Sequence, residues 1–63
     1  MFVQPERFVG TWRRFGPVGP VYEVTGVGPV GHDGEQLMHI RVVESGEEVD
    51  YKLADLLDDP RER

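Results

Sequence analysis

The stretch that decides the fold is Leu37–Leu53, which reads LMHIRVVESGEEVDYKL and has the alternation of a β-hairpin. Ser45 and Gly46 are predicted to form a tight turn, with Gly46 taking the positive φ that such turns require. Side chains alternate across a strand, so this turn collects apolar residues on one face. The predicted pairs on that face are Val42 with Val49, Ile40 with Tyr51, and Met38 with Leu53. We predict that this face belongs to the core.

The opposite face of the hairpin is predicted to be polar and of mixed charge. The pairs expected there are Arg41 with Asp50, His39 with Lys52, and Val43 with Glu48. Because both signs of charge alternate on this face, it resembles a binding site less than the flanks of the hairpin do. The hairpin is therefore predicted to build the domain, with any binding surface beside it.

The whole chain of 63 residues is predicted to form one small domain, ordered over about residues 8–59, with a frayed lead-in and tail. A domain of this size buries only about 60% of the surface of its unfolded chain, so its stability margin is thin. The absence of cysteine excludes disulfides and thiolate catalysis, and it is typical of a reducing compartment. With no signal-peptide pattern and no apolar run near ~20 residues, a cytoplasmic protein without membrane contact is expected.

The formal net charge of −5 is unevenly distributed. Residues 1–31 carry a small positive excess, and the remainder carries all of the negative charge. An acidic surface repels phosphate backbones and anionic lipids, keeps a small protein soluble, and can attract a basic partner.

Two further strands and a short helix are predicted around the hairpin. The first strand is expected at Phe8–Phe15, with Phe8 and Trp12 inward because Trp12 is the largest apolar side chain. The second is expected at Val21–Val27, and Gly/Pro loops at residues 16–20 and 28–35 separate the strands. In the second strand, Tyr22 and Val24 are predicted to face inward.

The segment Leu53–Asp59 has the spacing of a short amphipathic helix. Its predicted inward residues are Leu53, Leu56 and Leu57, and its predicted outward residues are Asp55, Asp58 and Asp59. Pro60 ends the helix, and residues 61–63 are expected to form a mobile tail.

Together these elements predict a mainly all-β fold with four to five short strands and a short C-terminal helix. A sheet with one apolar face must cover that face, and a short chain can do so by curling. A small SH3-like barrel or curled antiparallel sheet is the first expectation. An open sheet of three or four strands covered by the terminal helix is the alternative.

No motif in the chain predicts catalysis, a metal or a cofactor. The segment 26–31 matches G-x-G-x-x-G, but Pro29 removes an N–H donor and no helix pattern follows, so loop glycines are the preferred interpretation. His32, Asp33 and His39 form the one conceivable metal cluster and are interpreted as surface residues. No nucleophile has a neighbouring base, so we expect a protein that is not an enzyme.

The candidate interaction surface consists of a basic aromatic segment and the acidic helix face. Its residues are Arg13, Arg14, Phe15, Asp55, Asp58 and Asp59. The preferred function is a non-enzymatic module that binds an unidentified protein partner or a second copy of itself, since Trp and Arg are frequent interface anchors. The alternative is a small-barrel nucleic-acid-binding protein that uses Arg13, Arg14 and Arg41, which the net charge disfavours.

Three segments carry a resemblance to a known family, namely GTWRRFG at residues 10–16, PVYEV at 20–24, and the long segment 37–60. Over residues 8–60 the chain resembles a family of short bacterial proteins of unknown function that have served as structural-genomics targets. The resemblance implies a single cytosolic bacterial domain of unknown function, and it implies no activity or catalytic residue.

Overall fold

A computed structural model describes residues 3–62, and its regular elements are five strands and two short helices. In chain order they are a 3₁₀ helix at Pro5–Phe8, β1 at Trp12–Arg14, β2 at Val21–Val30, β3 at Gln36–Val42, β4 at Glu48–Lys52, α1 at Leu53–Asp58 and β5 at Arg61–Glu62. Regular structure thus begins before, and ends after, the predicted ordered range of 8–59. Residues 1, 2 and 63, which belong to the predicted lead-in and tail, lie outside the described residues.

The five strands form one antiparallel sheet in the order β4-β3-β2-β1-β5. Its edge strands, β4 and β5, do not pair with each other within residues 3–62, so the sheet is open. This confirms a mainly β fold with a short C-terminal helix. It does not confirm an SH3-like barrel, and the sheet has one or two strands more than the predicted open alternative.

The hairpin of β3 and β4 forms as predicted, but its register differs by two residues. Ile40 pairs with Val49 and Met38 pairs with Tyr51. Residues 43–47 connect the strands in place of a two-residue turn, and Gly46 has the predicted positive φ, at 75°. A shift of two residues keeps every side chain on its face, so the apolar set stays together while its partners change. On the polar face, His39 now pairs with Asp50 and Arg41 with Glu48.

The core lies on one face of the sheet, beneath α1 and the 3₁₀ helix. The residues with no exposed surface are Tyr22, Val24, Met38, Ile40 and Leu56. Partly buried Phe8, Phe15, Val49, Tyr51 and Leu53 pack around them. The prediction that Tyr22 and Val24 face inward is therefore confirmed.

The first strand is shorter than predicted, and although Phe8 packs against the core as expected, the inward and outward residues are exchanged from Trp12 onward. Gly10 adopts a φ of +90° between the 3₁₀ helix and β1, so alternation counted from Phe8 does not continue to Trp12. Arg13 pairs with core-facing Tyr22, which places Trp12 on the opposite face with 40% of its surface exposed. The prediction of an inward Trp12 is wrong, and Phe15 packs against the core instead.

The C-terminal segment forms the predicted helix, followed by a strand that was not predicted. Leu56 is fully buried, whereas Leu57 is 43% exposed, so the prediction that Leu57 faces inward is wrong. After Pro60 the chain returns to the sheet, where Glu62 pairs with Trp12 and Arg61 with Arg13. In place of a mobile tail, residues 61 and 62 form the strand β5.

Candidate interaction surface

One face of the sheet is covered by no helix of the described chain, and we call it the outer face. A row of paired residues crosses all five strands on this face: Glu62 of β5, Trp12 of β1, Glu23 of β2, Arg41 of β3 and Glu48 of β4. Leu56 of α1 and Phe8 of the 3₁₀ helix pack on the core side. Apart from Trp12 the side chains of this row are charged, and alternation places Val21 and Leu37 on the same face.

Trp12 is the one tryptophan of the chain and lies near the β5 edge of the outer face. Its neighbours on the adjacent strands are Glu62 and Glu23, one on each side. An open depression of about 370 Å³ is lined by Gly10, Thr11, Trp12, Arg61 and Glu62. An indole that is 40% exposed beside such a depression offers apolar surface to a second molecule.

The two arginines of the outer face bind carboxylates in different ways. Arg41 Nη2 donates to Glu23 Oε1 at 2.7 Å. Arg14 contacts the Glu62 carboxylate at 3.3 and 3.4 Å, while its Nη1 donates to the Gly19 carbonyl at 2.9 Å. Charge-assisted hydrogen bonds are typically about 2.7–2.9 Å long. The Glu62 carboxylate is therefore held more loosely than that of Glu23.

His39 lies between two carboxylates toward the β4 edge of the outer face. Its Nδ1 is 3.0 Å from Asp50 Oδ1 and its Nε2 is 3.1 Å from Glu48 Oε1. The hydrogen bond to Asp50, then that to Glu48, raises the pKa of His39 above its ordinary value. Protonated His39 can donate to both carboxylates at once, whereas the neutral ring donates to only one.

Asp59, predicted on the outward face of the helix, instead points to the core. Its Oδ2 accepts hydrogen bonds from the hydroxyls of Tyr22 at 2.7 Å and Tyr51 at 2.9 Å, and its Oδ1 accepts one from Gly16 N at 3.1 Å. Burial and then the hydrogen bond to Asp59 raise the pKa of Tyr51 to about 12, and the same causes raise the pKa of Tyr22. Both phenols therefore remain protonated donors at neutral pH.

Arg13 and Phe15 also lie on the core side. Arg13 Nη1 donates to the Asp59 carbonyl at 3.0 Å, and its guanidinium carbon lies 5.5 Å from the Phe8 ring centroid. The Phe15 ring centroid is 4.4 Å from that of Tyr22 and 5.2 Å from that of Tyr51. These contacts join β1 and the following turn to the helix end.

The structure therefore does not bring the six predicted surface residues together. Arg14 lies on the outer face, Arg13, Phe15 and Asp59 lie on the core side, and Asp55 and Asp58 are exposed on α1. That these residues bind a partner remains a prediction. The predicted set leaves out Trp12, because its size favoured a place in the core, and Glu62, because a two-residue strand has no periodicity.

The glycine motif and the histidine–aspartate cluster considered in the sequence can be placed in the structure. The glycines of segment 26–31 lie along the end of β2 and in the turn after it, and no helix follows. Asp33 pairs with Lys52 at 3.3 Å, and His32 is exposed. Within residues 3–62, no three His, Cys, Asp or Glu side chains are grouped to hold a metal ion. No helix in the same range is long and apolar enough to cross a membrane.

Fold and surface together define a small open-sheet β domain with an uncovered face of charged residues around one tryptophan. The model of a family of unknown function, DUF5397, matches residues 1–63, so the chain belongs to that family. This confirms the expected membership of a domain family of unknown function. A search of the curated proteins returns no match to the chain.

Proposed function

We propose that this protein is a non-enzymatic interaction module that binds a protein partner with its outer face around Trp12. One observation carries the proposal: the largest apolar side chain of the chain is 40% exposed on a sheet face that no described helix covers. The proposal includes a cytoplasmic location, because a cysteine-free domain needs no oxidising compartment, and the bacterial origin that the family resemblance implies.

An exposed indole gains free energy when a binding partner removes it from water. A small domain with a thin stability margin would gain stability by burying its largest apolar residue in its own core. Trp12 lies outside that core, where burial by a partner can supply binding energy. Tryptophan is among the residues that most often dominate interface energetics, typically within a polar rim such as Glu23 and Glu62 provide.

The alternative of nucleic-acid binding receives less support from the same geometry. Arg14 and Arg41 already bind carboxylates on the outer face, and Arg13 lies on the core side. A phosphate would have to displace Glu62 or Glu23 and would meet the repulsion of the released carboxylate. No other contact of the described chain favours this alternative.

The proposal is tested by comparing the proteins retained from a lysate of the native host by three immobilised chains. These are the unmodified chain, Trp12→Ala and Leu57→Ala, a control that removes an apolar side chain of similar exposure from α1. We expect the same partner on the unmodified chain and on Leu57→Ala, and its loss from Trp12→Ala. Amide spectra of both variants check that the fold is intact.

Equal retention by all three chains would contradict the proposal. A size measurement over a concentration series tests whether the partner is a second copy of the chain. Dissociation of such a dimer in Trp12→Ala would identify self-association through the outer face.

A further inference from the structure

We infer that the outer face binds a basic segment of its partner, with a lysine or arginine side chain over the Trp12 ring and beside Glu62. This inference rests on the proposed function and adds the chemistry of the occupant. Three features carry it: the charge of the face, the residues beside Trp12, and the loose contacts of Glu62.

The first feature is the charge of the outer face. Its carboxylates are Glu23, Glu48, Asp50 and Glu62, and its guanidinium groups are Arg14 and Arg41. Lys52, further along β4, is paired with Asp33. Four carboxylates against two guanidinium groups leave a negative face even when His39 is protonated, in agreement with the net charge of −5. A negative face attracts and orients a positive partner.

The second feature is the setting of Trp12 between two carboxylates. Side chains opposite each other on neighbouring antiparallel strands have Cβ atoms about 5 Å apart, so Glu62 and Glu23 border the indole. A cation within about 6 Å of an indole face is attracted by the ring. A carboxylate beside the ring adds a second attraction for the same cation, and the adjoining depression supplies space for its stem.

The third feature is the Glu62 carboxylate, which Arg14 contacts only loosely among the described residues 3–62. A carboxylate has about four lone-pair positions, and Arg14 contacts each Glu62 oxygen once, at 3.3 or 3.4 Å. Because Arg14 is also held by the Gly19 carbonyl at 2.9 Å, it can stay in place while Glu62 binds another cation. Glu23, with its 2.7 Å contact to Arg41, is less available.

These features disfavour the other occupants. A nucleic acid would bring phosphates to a negative face, and a second copy would bring a face of the same sign. An oligonucleotide titration and a dilution series distinguish these two occupants from a basic segment.

The test uses Trp12 fluorescence, because the only tryptophan of the chain reports directly on the proposed site. The full chain is titrated at low salt with capped hexamers of lysine, arginine, glutamine and glutamate, and with a short single-stranded oligonucleotide. The variants are Glu62→Gln and, as a matched control, Glu44→Gln. The control removes the same charge from the β3–β4 connection, near the edge of the sheet opposite β5.

We expect a saturable change of Trp12 emission with the lysine and arginine peptides only, and weaker binding when salt is added. Glu62→Gln is expected to lower the affinity for these peptides by about two- to fivefold, and Glu44→Gln is expected to leave it unchanged. The inference would be overturned if the glutamine peptide gave the same response as the basic peptides, or if the two variants had equal effects. It would also be overturned by the absence of a response to any peptide, or by a response to the oligonucleotide or to dilution alone. A native partner that requires Trp12 but is insensitive to salt and to Glu62→Gln would overturn the inference and leave the proposed function standing.

Discussion

At Asp59, a single carboxylate accepts hydrogen bonds from two tyrosine hydroxyls and one backbone amide of three separate segments. Asp59 and Pro60 connect the end of α1 at Asp58 to the start of β5 at Arg61. The side chain thus attaches this junction to β2, to β4 and to the turn after β1. Its carbonyl adds the contact to Arg13.

Replacing Asp59 by alanine is expected to destabilise the fold by about 1–3 kcal/mol, because two phenol hydroxyls lose their acceptor. The measurement is urea unfolding followed by circular dichroism. Asp58→Ala is the matched control, because Asp58 is the preceding residue, exposed at the end of α1, and its loss should change stability by no more than about 0.5 kcal/mol. Equal losses in the two variants would show that the hydrogen bonds of Asp59 do not stabilise the fold.

His39 should make stability depend on pH. Its folded pKa is raised above the ordinary 6.5 by Asp50 and then Glu48. Because the pKa of His39 is higher in the folded state, its contribution to stability is complete below about pH 6.5. That contribution is lost as the pH rises through the pKa of the folded state. The urea midpoint of the unmodified chain should therefore exceed that of His39→Gln at pH 5.5 by more than it does at pH 8.5. A difference that stays constant over this range would rule out the effect.

At the scale of elements, α1 is a short helix held by one fully buried leucine. Leu56→Ala is expected to reduce the free energy of unfolding by about 2–4 kcal/mol, because it removes a core side chain and leaves a cavity. Leu57→Ala, in the next position but 43% exposed, should have an effect below about 1 kcal/mol. Thermal and urea unfolding of both variants measure the difference, and a larger effect at Leu57 would contradict the packing described for α1.

The hairpin shows what can be predicted from the sequence about an element. The alternation of Met38, Ile40, Val49 and Tyr51 identifies the apolar face of the hairpin. This face stays the same when one strand shifts against the other by an even number of residues. The length of the connection decides the register, and Ser45-Gly46 is compatible with both a two-residue turn and the observed five-residue one. The cross-strand pairs predicted from a two-residue turn are therefore wrong, although their apolar face is right.

The first strand shows why the sequence does not predict an exposed Trp12. The pattern from Phe8 to Phe15 is consistent with one continuous strand, which would place Trp12 inward. The left-handed conformation at Gly10 interrupts that strand, a possibility that a glycine signals without specifying. Glu62 was missed for another reason: β5 pairs with β1 through tertiary contacts, and two residues have no measurable periodicity.

At the scale of the whole molecule, β5 connects the end of the described chain to its beginning. A chain that ends at Pro60 is expected to have a lower urea midpoint and a red-shifted Trp12 emission, because β1 loses a paired strand and its indole loses a neighbour. The double variant Arg61→Ala/Glu62→Ala keeps the backbone pairing, so its urea midpoint is expected to lie between those of the unmodified chain and the shortened chain. Identical midpoints for all three chains would show that β5 does not contribute to stability.

The pairing of β1 with β5 also has a consequence for the order of folding. β2, β3 and β4 are joined by short connections, whereas the contact of Trp12 with Glu62 closes a loop of nearly the whole described chain. Closing a longer loop loses more chain entropy, and pairings between distant segments slow folding. We therefore expect β1 and β5 to join after the central strands have formed. The two neighbours at the proposed binding site would then meet only in the last step, so an incompletely folded or nascent chain would not present it.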